Sequence, residues 1–193
     1  MHELLLNTFG RIADLSDAER KLMENLFKPL SIKKGEFFLK EGSRNNLVGF
    51  LNKGLVYYYV LKNDDEAITD FTKEGDFVSE YHTFINKSNA IHSIKAIEDC
   101  EFLVINYYDL QIIYCDIKDG NKIGRIVLEH RFAIVVNQLL SLYTHTPEQR
   151  YLNFVKNYSE LTQRIPQYLI ASFIGVKPQS LSRIRKRVAK TIS

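Results

Sequence analysis

The sequence predicts an α+β chain of three parts: a jelly-roll-like β-roll, one long helix, and a C-terminal helix-turn-helix. Three observations predict it. Short β-rich runs separated by turn residues crowd residues 30–106. One apolar pattern with few breakers then runs from Gly120 to Tyr143. Finally, the residues from Leu161 to Ser193 carry seven Lys or Arg and no Asp or Glu, whereas the other 160 carry 19 basic against 23 acidic groups. A mildly acidic body with a strongly basic end suits a chain whose one end meets a polyanion, although a solvated basic terminus would look the same. The expected divisions are 1–118 for the roll, 119–146 for the long helix and its hinge, and 147–193 for the helix-turn-helix.

In chain order, the first helical signal is Ser16-Asp17-Ala18-Glu19, a capping box in which Ser and Glu satisfy each other's amides. Leu22, Met23, Leu26 and Phe27 follow at helical spacing, and Pro29 ends the run. Strands are expected over 35–39, 47–51, 55–60, 67–71, 91–94 and 100–105. The turn signals between them are Lys34-Gly35, Glu41-Gly42-Ser43, Asn52-Lys53-Gly54, Asn63-Asp64-Asp65 and Glu74-Gly75-Asp76. Several runs are apolar throughout, which leaves strand register open. Asn106 is the expected cap of the next helix. In the long helix, Ile123, Val127, Ile134 and Leu140 form a stripe suited to pairing with a second copy, though also to an internal core helix. Thr144–Pro147 reads as a hinge, with Pro147 opening another helix.

Composition excludes several classes. Apolar residues make up 45% of the chain, enough for a packed core, so disorder is not expected. No apolar run approaches the ~18 residues of a membrane span, so no membrane partner is expected. The first residues show no basic leader or cleavage site, which points to the cytoplasm. Cys100 and Cys115 are too few for a disulfide framework or an all-cysteine iron–sulfur cluster. No Ser-His-Asp order, P-loop or dinucleotide fingerprint appears, and no enzyme, cofactor or metal site is expected.

The most informative segment is 165–187. Pro166 opens a helix in which Leu169, Ile170 and Phe173 face inward, and Ala171 is small where a second helix must cross. Gly175 stands where a helix end needs positive φ, and Pro178 begins the next helix. With Leu181 and Ile184 inward, Gln179, Ser182, Arg183 and Lys186 face outward, with Lys177, Ser180, Arg185 and Arg187 at the flanks. Polar residues near a helix start can reach base edges of double-stranded DNA while basic flanks grip phosphates. Arg183 can fork onto guanine, and Gln179 can pair with adenine or a phosphate. A structural helical hairpin is the alternative.

At these residues the chain resembles the catabolite activator/Fnr (Crp/Fnr) family of transcription regulators. The likeness is carried by the runs Ile170–Gly175 and Leu181–Lys186 and by the phrase Gly75-Asp76-Phe77-Val78-Ser79-Glu80. It implies a cyclic-nucleotide-binding-like roll, a dimer helix and a winged helix-turn-helix, with Gln179, Ser182 and Arg183 nearest the bases. The wing itself is not evident, since its strands would have to precede Pro166. In nucleotide-binding members a Gly-Glu pair holds the ribose and a later Arg-Ser or Arg-Thr neutralises the phosphate. Here Ser79 replaces the Gly, Glu80 is retained, and the Arg-Ser place falls at Ala90-Ile91. A phosphate without its cation forfeits charge-assisted bonds worth ~1.5–3 kcal/mol each. Val135-Val136 also stands near the polar pair that reads adenine. Cyclic AMP is therefore not the expected effector, and only Lys87 or Lys95 could supply a displaced cation. Another small molecule could still occupy the roll, and the resemblance allows RNA polymerase as a partner.

His82, His92 and His130 are the haem-ligand candidates, and His82 and His92 with Glu80 form a loose constellation of the kind a cupin-type metal or small-molecule protein would use. In that alternative the helical tail would dock a protein. The expected mechanism is a homodimer paired along Ile123, Val127, Ile134 and Leu140, with two recognition helices ~34 Å apart on an inverted repeat. An effector would act by altering the hinge around Thr144–Pro147.

Overall fold

A computed structural model describes residues 1–192, with side chains described to residue 189. Two helices open the chain: α1 (Glu3–Gly10) and α2 (Asp17–Leu26). The Ser16–Glu19 capping box forms, and Glu19 also accepts a bond from the Lys118 amide at 2.9 Å. Bonds from Ser16 and then from Lys118 hold the Glu19 carboxyl down at about 2.

Eight strands follow: β1 (Lys28–Ile32), β2 (Phe37–Leu39), β3 (Leu47–Lys53), β4 (Leu55–Lys62), β5 (Asp65–Lys73), β6 (Phe77–Val78), β7 (Ser93–Ala96) and β8 (Cys100–Asn106). They form two four-stranded sheets, ordered β1-β8-β3-β6 and β2-β7-β4-β5. All six expected strands are present, with shifted ends. Strand β1 was hidden by Pro29, which stops α2 but then lies opposite Leu103 on an edge strand, where a missing N–H is tolerated. The hairpin turn at Asn63-Asp64 has both residues at positive φ, 53° and 66°, the conformation of a two-residue type I′ loop.

Register is decided by a double cover. On β3, Val48 and Phe50 face an apolar cluster with Leu5, Phe9, Met23 and Phe27, while Leu51 faces the other sheet with Phe102 and Ile94. On β8, Leu103 and Ile105 join the helical cluster, and Phe102 and Val104 the inter-sheet one. Both faces are buried, which is why these strands read as unbroken apolar runs rather than alternating ones. The buried Cys100 thiol, pushed up to about 11 by burial, is held as an inert thiol rather than a thiolate.

Between strands lies α3 (Tyr81–Asn86), and after β8 come α4 (Tyr107–Asp116), α5 (Gly120–Thr144), α6 (Pro147–Asn157), a single 3-10 turn (Ser159–Leu161), α7 (Gln167–Phe173) and α8 (Pro178–Ile192). Asn106 caps α4, accepting from the Asp109 amide at 3.0 Å. Among the described residues no strand follows β8, so none flanks α7 and α8 as a wing. The chain divides into two compact units, Met1–Val60 with Asp70–His130, and Leu61–Thr69 with Arg131–Ser193; helix α5 contributes to both.

Candidate nucleic-acid interface and roll pocket

In the C-terminal unit an apolar core of Phe154, Leu161, Ile165, Leu169, Ile170, Ala171, Ile174, Leu181 and Ile184 is buried. Phe154, Tyr158 and Phe173 add a ring cluster with centroids 5.2–6.2 Å apart. The turn between α7 and α8 closes by two bonds: Gly175 N–H donates to Ser172 O at 3.0 Å and Val176 N–H to Ala171 O at 2.9 Å. This is the Schellman arrangement, and Gly175 adopts φ +74°, as its αL position requires. A residue the sequence reading missed reinforces the turn. Arg150 on α6 donates from Nε to Ile174 O at 2.8 Å and from one terminal nitrogen to His145 O at 2.7 Å. Nothing in the spacing of Arg150 marks it, because its partners are carbonyls 24 and 5 residues away.

Helix α8 then presents a sorted surface. Leu181 and Ile184 are buried, Gln179, Ser182, Arg183 and Lys186 are exposed, and Ser180 is half-buried. Lys177 is exposed just before the helix. Two of the flanking cations have protein partners: Arg185 donates to Gln167 Oε1 at 2.5 Å, and Arg187 pairs with Glu148 at 3.0 Å. The face of Gln179, Ser182, Arg183 and Lys186 carries two cations and no carboxylate. On α7, Ser172 reaches the β4–β5 hairpin, donating from Oγ to Glu66 O at 2.9 Å and accepting from Ile68 N–H at 3.1 Å.

On α5 the residues named for pairing separate. Ile123 is buried in its own unit's core, and the half-buried Val127 packs against that core. Ile134 is half-buried and Leu140 exposed. Phe132, Val135, Leu139 and Leu142 are all exposed, at spacings of three and four, with Tyr143 beside them.

In the roll, Glu80 stands at the N-cap of α3, its side chain only 10% exposed. Three groups of the chain donate to it: His92 Nδ1 at 2.9 Å from Oε1, and the Ile91 N–H at 3.0 Å and Thr83 hydroxyl at 3.1 Å on Oε2. Ser79 Oγ donates to Leu47 O at 3.4 Å. Ala90 is buried and ties its amide and carbonyl to Ser43 and Gly42, whereas the Ile91 side chain is exposed. Of the two displaced cations, Lys95 lies over the Phe37 ring at 5.2 Å and Lys87 over Tyr107 and Tyr108 at 4.6 and 4.7 Å. Among the described residues no three His, Cys, Asp or Glu stand together as a metal site. No described helix is long and apolar enough to cross a membrane.

Comparison with known proteins follows this division. Residues 29–114 match the cyclic nucleotide-binding domain family. Among solved structures, FixK2 of Bradyrhizobium japonicum is similar at 15% identity and a TM-score of 0.74, covering 86% of this chain and 85% of its own. The c-di-GMP-responsive global regulator CLP of Xanthomonas campestris is similar at 16% identity and a TM-score of 0.72, covering 91% and 93%. A chain from Eubacterium rectale assigned to the Crp/Fnr transcriptional regulators is similar at 16% identity and a TM-score of 0.72, covering 96% and 88%. No curated protein matches the sequence significantly.

Proposed function

We infer from a chain of the Crp/Fnr regulator fold, with a cyclic nucleotide-binding domain at residues 29–114, a homodimeric transcription regulator that binds inverted-repeat DNA. The observation that carries this reading is the sorted surface of α8. Leu181 and Ile184 anchor the helix, the Gly175 turn fixes its start, and Gln179, Ser182, Arg183 and Lys186 are left to solvent. Arg183 reads a guanine in the major groove, Gln179 and Ser182 complete the base contacts, and Lys177 and Lys186 hold phosphates. Ser180, Arg185 and Arg187 flank these contacts on the DNA, and the last two also bond to Gln167 and Glu148.

Pairing uses the exposed α5 stripe of Phe132, Val135, Leu139 and Leu142, whose alternating spacing suits a two-helix seam. The effector position has turned inward. Glu80 is engaged by His92, Ile91 and Thr83, and no arginine occupies the Ala90-Ile91 place, so cyclic AMP would meet an already bonded carboxylate and no phosphate cation. The regulator works in the cytoplasm and catalyses no reaction.

The test is selection of bound sites from a random double-stranded DNA pool by the purified protein. The expected product is an inverted repeat with half-sites ~34 Å apart. Failure to enrich any repeat, both alone and with cell extract added, overturns the reading.

A further inference from the structure

A second feature of the roll lies apart from Glu80 and His92. The β2–β3 connection, the C-terminal end of α3 and the start of α4 enclose a notch of about 300 Å³. Arg44, Asn45, Phe84, Lys87, Tyr107 and Tyr108 line it, and none of Ser79, Glu80, Ala90, Ile91 or His92 does. Its volume is at the lower end of small-molecule sites, ~300–1,000 Å³.

The chemistry of the lining is one-sided. Two cationic residues, Arg44 and Lys87, line it and no Asp or Glu does; Asp109, near the start of α4, is turned to Asn106 at 2.7 Å. Lys87 is held over the faces of Tyr107 and Tyr108, and its ammonium donates to the Tyr108 hydroxyl at 3.3 Å. That leaves two of its three donors for an outside acceptor. Its backbone is in the left-handed region, φ 52°, at the C-cap of α3, where glycine or asparagine is the usual occupant. Tyr108 is 70% exposed, so a large aromatic ring stands open at the rim. Phe84 and Tyr107 pack with centroids 5.9 Å apart and form the floor. Buried Asn45 faces the notch while its amide donates to Glu80 O at 2.8 Å and Thr83 Oγ1 at 3.3 Å, which ties this wall to the first turn of α3.

We propose that this notch binds a small molecule in which a flat ring carries a phosphate monoester. Arg44 takes the phosphate as a fork, Lys87 takes it as a point charge, and Tyr108 stacks on the ring. The cation absent at Ala90-Ile91 is thus supplied elsewhere on the roll, on a different ligand. The proposal deepens the regulator reading by placing an effector, but it stands on the roll alone and is tested without DNA.

The experiment is titration of the full chain, free of DNA, with phenyl phosphate, inorganic phosphate and phenol, followed by backbone amide shifts. Phenyl phosphate is expected to saturate, moving amides at 44–46, 84–87 and 106–108, with phosphate at least ~tenfold weaker and phenol not saturating. Arg44→Gln and Lys87→Gln are each expected to weaken phenyl phosphate ~10–100-fold with otherwise unchanged spectra, the loss of one charge-assisted contact. Lys87→Arg is expected to retain binding. Absence of saturation by phenyl phosphate, shifts centred on Glu80–His92, or undiminished binding in both Gln variants overturns the proposal. If a Gln variant misfolds, the map of shifts in the unaltered chain decides.

Discussion

Arg183 and Lys186 lie three residues apart on the exposed face of α8, yet they are expected to behave differently. A guanidinium can fork onto two acceptors of one base, and a lysine ammonium is a point charge with no fixed plane. Arg183→Ala is therefore expected to cost ~1–3 kcal/mol on a selected site and to relax preference at one base pair. Lys186→Ala is expected to weaken selected and random DNA alike and to lower the salt slope by about one. Equal losses on both DNAs for both variants would remove these assignments. Arg185 and Arg187 are expected to matter less for base choice, because Gln167 and Glu148 already engage them. The outward set on α8 was legible in the sequence because a helical period with Leu181 and Ile184 inward leaves little choice. The engagement of Arg187 was not, since its partner lies 39 residues away in the chain.

At the scale of elements, the approach of α4 to α5 depends on two glycines. A Cβ at Gly124 would stand 2.5 Å from the Tyr114 ring, and one at Gly120 would stand 1.9 Å from the Ile113 carbonyl oxygen. Overpacking of this kind costs ~1–3 kcal/mol, against which a mid-helix Gly→Ala change returns up to ~1 kcal/mol of helix propensity. Gly124→Ala is thus expected to lose about 1–2 kcal/mol, because a side chain can give way. Gly120→Ala is expected to lose more, because main chain cannot. Denaturant midpoints measure both, and a stabilised Gly120→Ala would show that the helices do not meet this closely. Element existence followed from caps and periods: Ser16, Asn106 and Pro147 all mark true helix starts. Strand β1 and helix α3 did not follow. Pro29 argues against a strand unless its edge position is known, and α3 is a six-residue helix too short to display a period.

For the whole molecule, the decisive matter is which face of α5 is free. Ile123 and Val127 belong to their own unit's core, which leaves Phe132, Val135, Leu139 and Leu142 exposed. A charge in the middle of such a seam would be buried on pairing without a partner. Leu139→Glu is accordingly expected to give a monomer by sedimentation, with affinity for an inverted repeat reduced at least ~100-fold and for a single half-site little changed. A dimer that survives this change would place the seam on another face. The Glu80 region belongs to the same scale. Its carboxylate is retained in the sequence as though for a ligand, but the fold brings His92, Ile91 and Thr83 onto it.

The sequence by itself determined the order of the three parts, several cap and turn residues, and the inward and outward faces of α8. Each of these is local: it rests on residues within a few positions of one another, where helical and strand periods act directly. The tertiary structure alone decided strand register, the exposed face of α5, the bonds on Glu80, the buttressing of the Gly175 turn by Arg150, and the gathering of Arg44, Lys87 and Tyr108 around one notch. Those depend on groups brought together from distant parts of the chain. A period in the sequence says that a face is apolar, but only packing says what covers it.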